Sequence, residues 1–130
     1  MNPLARRLLF WSPRVICILF AGFLAMFAAD VFGEHYSPGQ LVVALFMHLV
    51  PTWLVLLALA VAWRWEWVGA VLFFGLAVAY VVSVHDRAQW EWYVFIAGPA
   101  VLVGLLFLLN WRYRAELRPR PAAATPPASR

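Results

Sequence analysis

The chain contains no lysine, a single cysteine and only six acidic residues in 130 positions. Each shortage removes a class of chemistry. Without lysine no retinal-type Schiff base can form. With Cys17 alone, thiol oxidation through a cysteine pair and a Cys-rich metal site are both excluded. No glycine-rich phosphate loop occurs. Of the three histidines only His48 falls inside an apolar run, so a bis-histidine haem would require His48 from two copies of the chain. No acid stands in the middle of such a run, where a proton-coupled small multidrug exporter needs one. These residues imply no cofactor and no metal.

Apolar residues fill what remains. They make up 65% of the chain against 12% charged, about half the charged share of a soluble domain. They are gathered into four runs, Val15–Phe32, Leu41–Trp63, Trp67–Val84 and Tyr93–Trp111. Each run is about 18 to 23 residues, roughly what a helix needs to cross ~30 Å of hydrocarbon at ~1.5 Å per residue. A soluble protein this small could not bury so much apolar surface. The expected fold is therefore all-α, an integral membrane bundle of four transmembrane helices with spans near 15–32, 38–63, 67–84 and 93–111. Residues 1–13 read as a lead-in segment, 14–114 as the membrane domain, and 115–130 as a disordered Pro/Ala/Arg-rich tail that cannot pack a core. The first run is too long for a secretory h-region, and Phe27-Ala28-Ala29 lacks the small first residue of a cleavage site, so the run is expected to be retained.

Charge sign sets the expected orientation. Arg6, Arg7, Arg14, Arg64, Arg112, Arg114, Arg118, Arg120 and Arg130 fall on one side of the spans, and Arg87 alone on the other. Arginine-rich short loops stay cytoplasmic, which predicts both termini inside. The basic balance thus follows from topology and contact with anionic headgroups, and nucleic acid is not an expected partner. Tryptophans agree: Trp11, Trp63, Trp65, Trp67 and Trp111 border one face, Trp90 and Trp92 the other, as two interfacial belts.

The breaks are punctuated. Gly33 is expected to close the first span as a left-handed cap. Ser37-Pro38-Gly39-Gln40 has the spacing of a capping box with proline at the first helical position. Pro51 and Pro99 each remove an N–H and predict kinks, with the Thr52 hydroxyl placed to serve a freed carbonyl. Arg64-Trp65-Glu66 leaves room only for an antiparallel hairpin between spans two and three. Small residues at i+4 spacing mark expected packing seams. They are Cys17, Ala21, Ala25 and Ala29 in the first span, Gly75, Ala79 and Ser83 in the third, and Ala97, Ala100 and Gly104 in the fourth.

The stretches Phe27–Glu34, Leu45–Thr52, Ala62–Trp67, Ile96–Pro99 and Leu105–Trp111, taken in order, resemble a family of small bacterial four-span membrane proteins catalogued only as a domain of unknown function. The resemblance covers roughly Arg14 to Trp111. It implies the four-span fold and the bacterial cytoplasmic membrane, and it brings no activity and no site residues.

Two functions from different classes remain open. One is a non-enzymatic structural or accessory component acting through lipids, self-association or another membrane protein. The other is a small homo-oligomeric transporter or channel, to which the proline-broken spans point. Ionisable groups inside a membrane face the bundle interior or a water-filled cavity. Asp30, His48, Tyr80 and Ser83 all fall in the half of the bundle away from the arginines, and they are the expected lining of a polar pocket with His48 at its floor.

Overall fold

The computed structural model describes residues 2–87 and 89–117. Helix α1 runs Pro3–Met26 and tightens into a 3₁₀ segment, Phe27–Gly33. Helix α2 runs Pro38–Arg64 and α3 runs Glu66–Val84. The fourth span is composite, with α4 at Trp90–Trp92, a π-helical segment at Tyr93–Ala97 and α5 at Gly98–Arg112. A last turn, α6, covers Arg114–Leu117. No strand occurs among the described residues. Four helical stretches, Pro3–Gly33, Pro38–Arg64, Glu66–Val84 and Trp90–Arg112, are long and apolar enough to cross a membrane. This is the architecture of an all-α, multi-pass membrane protein.

Several local features differ from expectation. The lead-in segment is helical from Pro3 onward, capped by Asn2, whose side chain accepts the Leu4 N–H at 3.0 Å. Hydropathy missed this turn because Arg6, Arg7 and Arg14 interrupt the apolar run without interrupting the helix. Gly33 is not left-handed, since no glycine among the described residues has positive φ. The 3₁₀ tightening does the job instead, with the Glu34 N–H reaching the Val31 carbonyl at 3.4 Å. Thr52 is buried but its hydroxyl finds no hydrogen-bond partner among the described residues. Of the tail, 115–117 belong to α6 and 118–130 lie outside the described residues.

Other expectations appear as drawn. The Ser37 N–H donates to Gln40 Oε1 at 3.1 Å, with Pro38 leading α2. The loss at Pro99 is absorbed by the π segment immediately before it, where the Gly98 N–H reaches back to the Tyr93 carbonyl. Trp65 alone joins α2 to α3, which makes the hairpin.

Each long helix packs on two neighbours, in the cyclic order α1, α2, α3, α5. A buried line of the first span runs through Cys17, Ala21 and Leu24 of α1 and on to Ala28 and Val31 of the 3₁₀ segment, at alternating steps of four and three. A strict i+4 series drifts around a helix of 3.6 residues per turn. Ala25 is accordingly half-buried and Ala29 exposed. On α3 the buried residues are Glu66, Gly69, Ala70, Phe73 and Ala77, whereas Gly75, Ala79 and Ser83 are exposed. In the fourth span Ala97, Ala100 and Gly104 are all buried, and Gly104 sits against the Phe74 ring.

Candidate functional site

The α2–α3 hairpin is closed at one end and open at the other. Near its turn, Val55, Ala58, Leu59 and Ala62 of α2 are buried, as are Gly69, Ala70, Phe73 and Ala77 of α3. Small side chains there let the two backbones approach closely. From Pro38 to Pro51 α2 has no buried residue, and beyond Ala77 neither has α3. The change on α2 falls at Pro51, where the backbone hydrogen-bond ladder is interrupted. Beyond this point a fissure is lined by Met47, His48 and Pro51 of α2 and by Tyr80 and Ser83 of α3.

The fissure opens into a cavity of about 600 Å³ to which all four spans contribute. Phe20 and Leu24 of α1, Leu76 of α3 and Ile96 of the π segment give it an apolar wall. His48, Tyr80 and Ser83 are its polar groups. Three of the four residues expected in a polar pocket therefore share one cavity. Asp30 does not line it: the 3₁₀ tightening places it on an exposed face of Phe27–Gly33. The cavity is also far more apolar than expected.

Each polar group is positioned by its own helix. His48 Nδ1 lies 2.9 Å from the Ala44 carbonyl, and Ser83 Oγ donates to the Ala79 carbonyl at 2.7 Å. The Tyr80 ring packs edge-on against Tyr93, whose hydroxyl donates to the Val84 carbonyl at 3.2 Å and ties the end of α3 to the fourth span. No hydrogen bond joins His48 to Ser83 or Tyr80 among the described residues, so the arrangement lacks the base–nucleophile contact of covalent catalysis. No group of three His, Cys, Asp or Glu side chains able to hold a metal ion occurs among the described residues.

A second polar centre was not foreseen. Arg14 is fully buried, and its Nη2 lies 4.0 Å from Glu66 Oε1, itself 8% exposed. The guanidinium stacks 3.8 Å from the Phe10 ring centroid, 5.2 Å from that of Trp63 and 5.8 Å from that of Phe107. It also donates to the Phe10 carbonyl. Side chains of all four spans thus meet around one charge. Glu66 is in the first turn of α3, where the helix dipole favours a carboxylate. One turn beyond Phe107, Asn110 is fully buried and neither of its side-chain polar atoms has a hydrogen-bond partner among the described residues. The sequence signal for this centre was an acid, Glu66, beside a hairpin turn too short to carry it into solvent, and its pairing with Arg14 is visible only in the fold. Outside it lies a polar hollow of about 730 Å³ bordered by Arg64, Trp111 and Arg114.

No curated protein and no solved structure matches this chain. A family model does match, that of a domain of unknown function, DUF7670, over residues 1–120. With nearly the whole chain matched, and a four-span helical bundle behind the match, the protein belongs to the DUF7670 family.

Proposed function

We propose that the protein is a non-enzymatic accessory component of a bacterial cytoplasmic membrane, and that it works by accommodating an apolar molecule from the bilayer in the α2–α3 fissure. The observation that carries this is the cavity itself. Its volume of about 600 Å³ falls within the ~300–1,000 Å³ of small-molecule sites, and its wall is apolar with a few convergent polar groups. All its lining residues belong to the four spans and none to a loop, which suits an occupant that arrives from lipid. His48 and Ser83 are each bonded to their own helix, which suits anchoring better than proton transfer.

The test is retention. Purified in mild detergent, the wild-type chain should carry a near-stoichiometric apolar molecule by native mass spectrometry. Ala79→Trp, an exposed position on the fissure wall, should lose it while keeping its thermal stability. Equal retention by both proteins would reject the reading.

A homo-oligomeric transporter is the second reading, favoured by Pro51 and by the π segment before Pro99, since interrupted helices line sites in transporters. Solute flux in proteoliposomes, abolished by Ala79→Trp, would favour it over the accessory role.

In either reading both termini are cytoplasmic, on the strength of the nine-to-one arginine split. Alkaline phosphatase fused at Arg130 should be inactive and a cytoplasm-dependent fluorescent reporter bright. The reverse pattern would invert the topology.

A further inference from the structure

The hydrogen-bonding state of the three polar residues in the fissure restricts what can bind there. A carbonyl oxygen only accepts, so the Ala44 contact requires the proton of His48 on Nδ1. In the neutral ring that leaves Nε2 as a lone-pair acceptor. Ser83 has likewise committed its one proton to the Ala79 carbonyl and keeps only acceptor lone pairs. Tyr80 makes no hydrogen bond among the described residues, and its phenol can give or take one. No arginine lines the cavity. The polar end of the fissure is therefore rich in acceptors and has no cation.

That inventory discriminates among membrane lipids. A carboxylate or phosphate is an acceptor that needs a cationic or multi-donor partner, and burying it here would leave its charge uncompensated. An ester or ether offers no proton to His48 or Ser83. A hydroxyl offers the one donor those groups lack and can accept from Tyr80 in return. The apolar wall formed by Phe20, Leu24, Leu76 and Ile96 is suited to a hydrocarbon chain.

We propose that the fissure is a binding site for a neutral lipid bearing a free hydroxyl, whose chain lies along the apolar wall and whose hydroxyl donates to His48 Nε2 or Ser83 Oγ. This rests on the reading that a bilayer molecule occupies the fissure, and it adds the chemical class of that molecule.

The experiment is equilibrium binding of tritiated oleyl alcohol, oleyl methyl ether and oleate at pH 8 to the full chain in nanodiscs. The alcohol should bind about tenfold more tightly than the ether, the discrimination expected of one or two net hydrogen bonds. Oleate should bind no better than the ether. His48→Leu and Ser83→Ala, both at exposed positions, should each bring the alcohol toward the ether and leave ether binding unchanged. His48→Gln, which retains an acceptor, should restore part of the preference. Ala79→Trp should weaken all three ligands. Equal binding of alcohol and ether to the wild type, or a preference for oleate, would overturn the hydroxyl assignment while Ala79→Trp still showed the fissure occupied. A preference that survives both His48→Leu and Ser83→Ala would overturn it as well. No saturable binding of any of the three would remove the fissure reading and the assignment with it.

Discussion

Glu66→Ala is expected to lower the unfolding free energy by about 3–5 kcal/mol, the cost of leaving a buried charge without its counter-charge. Arg14 is fully buried among Phe10, Trp63 and Phe107, with the Glu66 carboxylate 4.0 Å away. Once the carboxylate is gone, the guanidinium cannot reach water without prising α1 from its neighbours. Glu66→Gln should cost nearly as much, because an amide keeps the shape and loses the charge. Pairwise replacement decides whether charge is the cause. A well-packed apolar pair often matches or exceeds a buried ion pair in stability, so Arg14→Met with Glu66→Leu should recover most of the loss. Arg64→Ala, an exposed arginine in the same turn, should stay within about 0.5 kcal/mol of wild type. Tryptophan-fluorescence unfolding in SDS-containing mixed micelles reads all of these, and added salt should change little because the pair is shielded from solvent. A Glu66→Gln protein as stable as wild type would show that the pair does not hold the arginine-rich end together.

Most of the fold was legible because membrane spans are set by run length. Four apolar stretches with short breaks admit few arrangements, and the tight turn at Trp65, the Ser37 cap and the helix irregularity before Pro99 follow from local chemistry. What hydropathy could not tell was which face of each helix is inside. Lipid-facing and core-facing residues are equally apolar in a bilayer, so Val42 and Phe46, both exposed, read no differently from Val55 and Leu59, both buried. Small residues are a partial guide. They mark the seam of the fourth span at Ala97, Ala100 and Gly104, but on α3 the series Gly75, Ala79, Ser83 lies on the exposed face and Gly69, Ala70, Ala77 on the buried one. The fissure was half legible. The shared depth of His48, Tyr80 and Ser83 could be counted from helix rise, whereas the fissure that joins them depends on packing. The Arg14–Glu66 centre was hidden for a related reason. Both residues counted as flanking charges for topology, and burial of a flanking charge leaves no mark on charge balance.

Gly69→Ala sets two effects of opposite sign against each other, and their sizes predict which wins. Replacing an interior helical glycine with alanine ordinarily stabilises by about 0.5–1 kcal/mol. Gly75 is such a position, with nothing within 4 Å of where a Cβ would stand, so Gly75→Ala should gain stability in that range. At Gly69 the added methyl would overlap the Ala62 methyl and come within 2.8 Å of the Ala62 Cα. That neighbour is backbone of the adjoining helix, so no rotamer change relieves it. Overpacking of this kind costs about 1–3 kcal/mol and occasionally more, which exceeds the propensity gain. Gly104→Ala should fall between the two, since its methyl would meet the Phe74 ring at 3.1 Å and a ring can tilt by a few tenths of an ångström. The expected order of stability is Gly75→Ala, wild type, Gly104→Ala, Gly69→Ala, read by the same micellar unfolding. The worst of these also has a functional signature. Ala62 and Gly69 form the tight base of the hairpin, so forcing them apart changes the angle at which α2 leaves α3 and with it the fissure. Gly69→Ala should therefore retain less of the bound apolar molecule than Gly104→Ala, and Ala62→Gly in the same chain should restore part of it by returning space from the opposite helix. A Gly69→Ala protein that gains stability and keeps its occupant would mean that the hairpin base is looser than the Ala62 contact indicates, and that the fissure angle is set elsewhere.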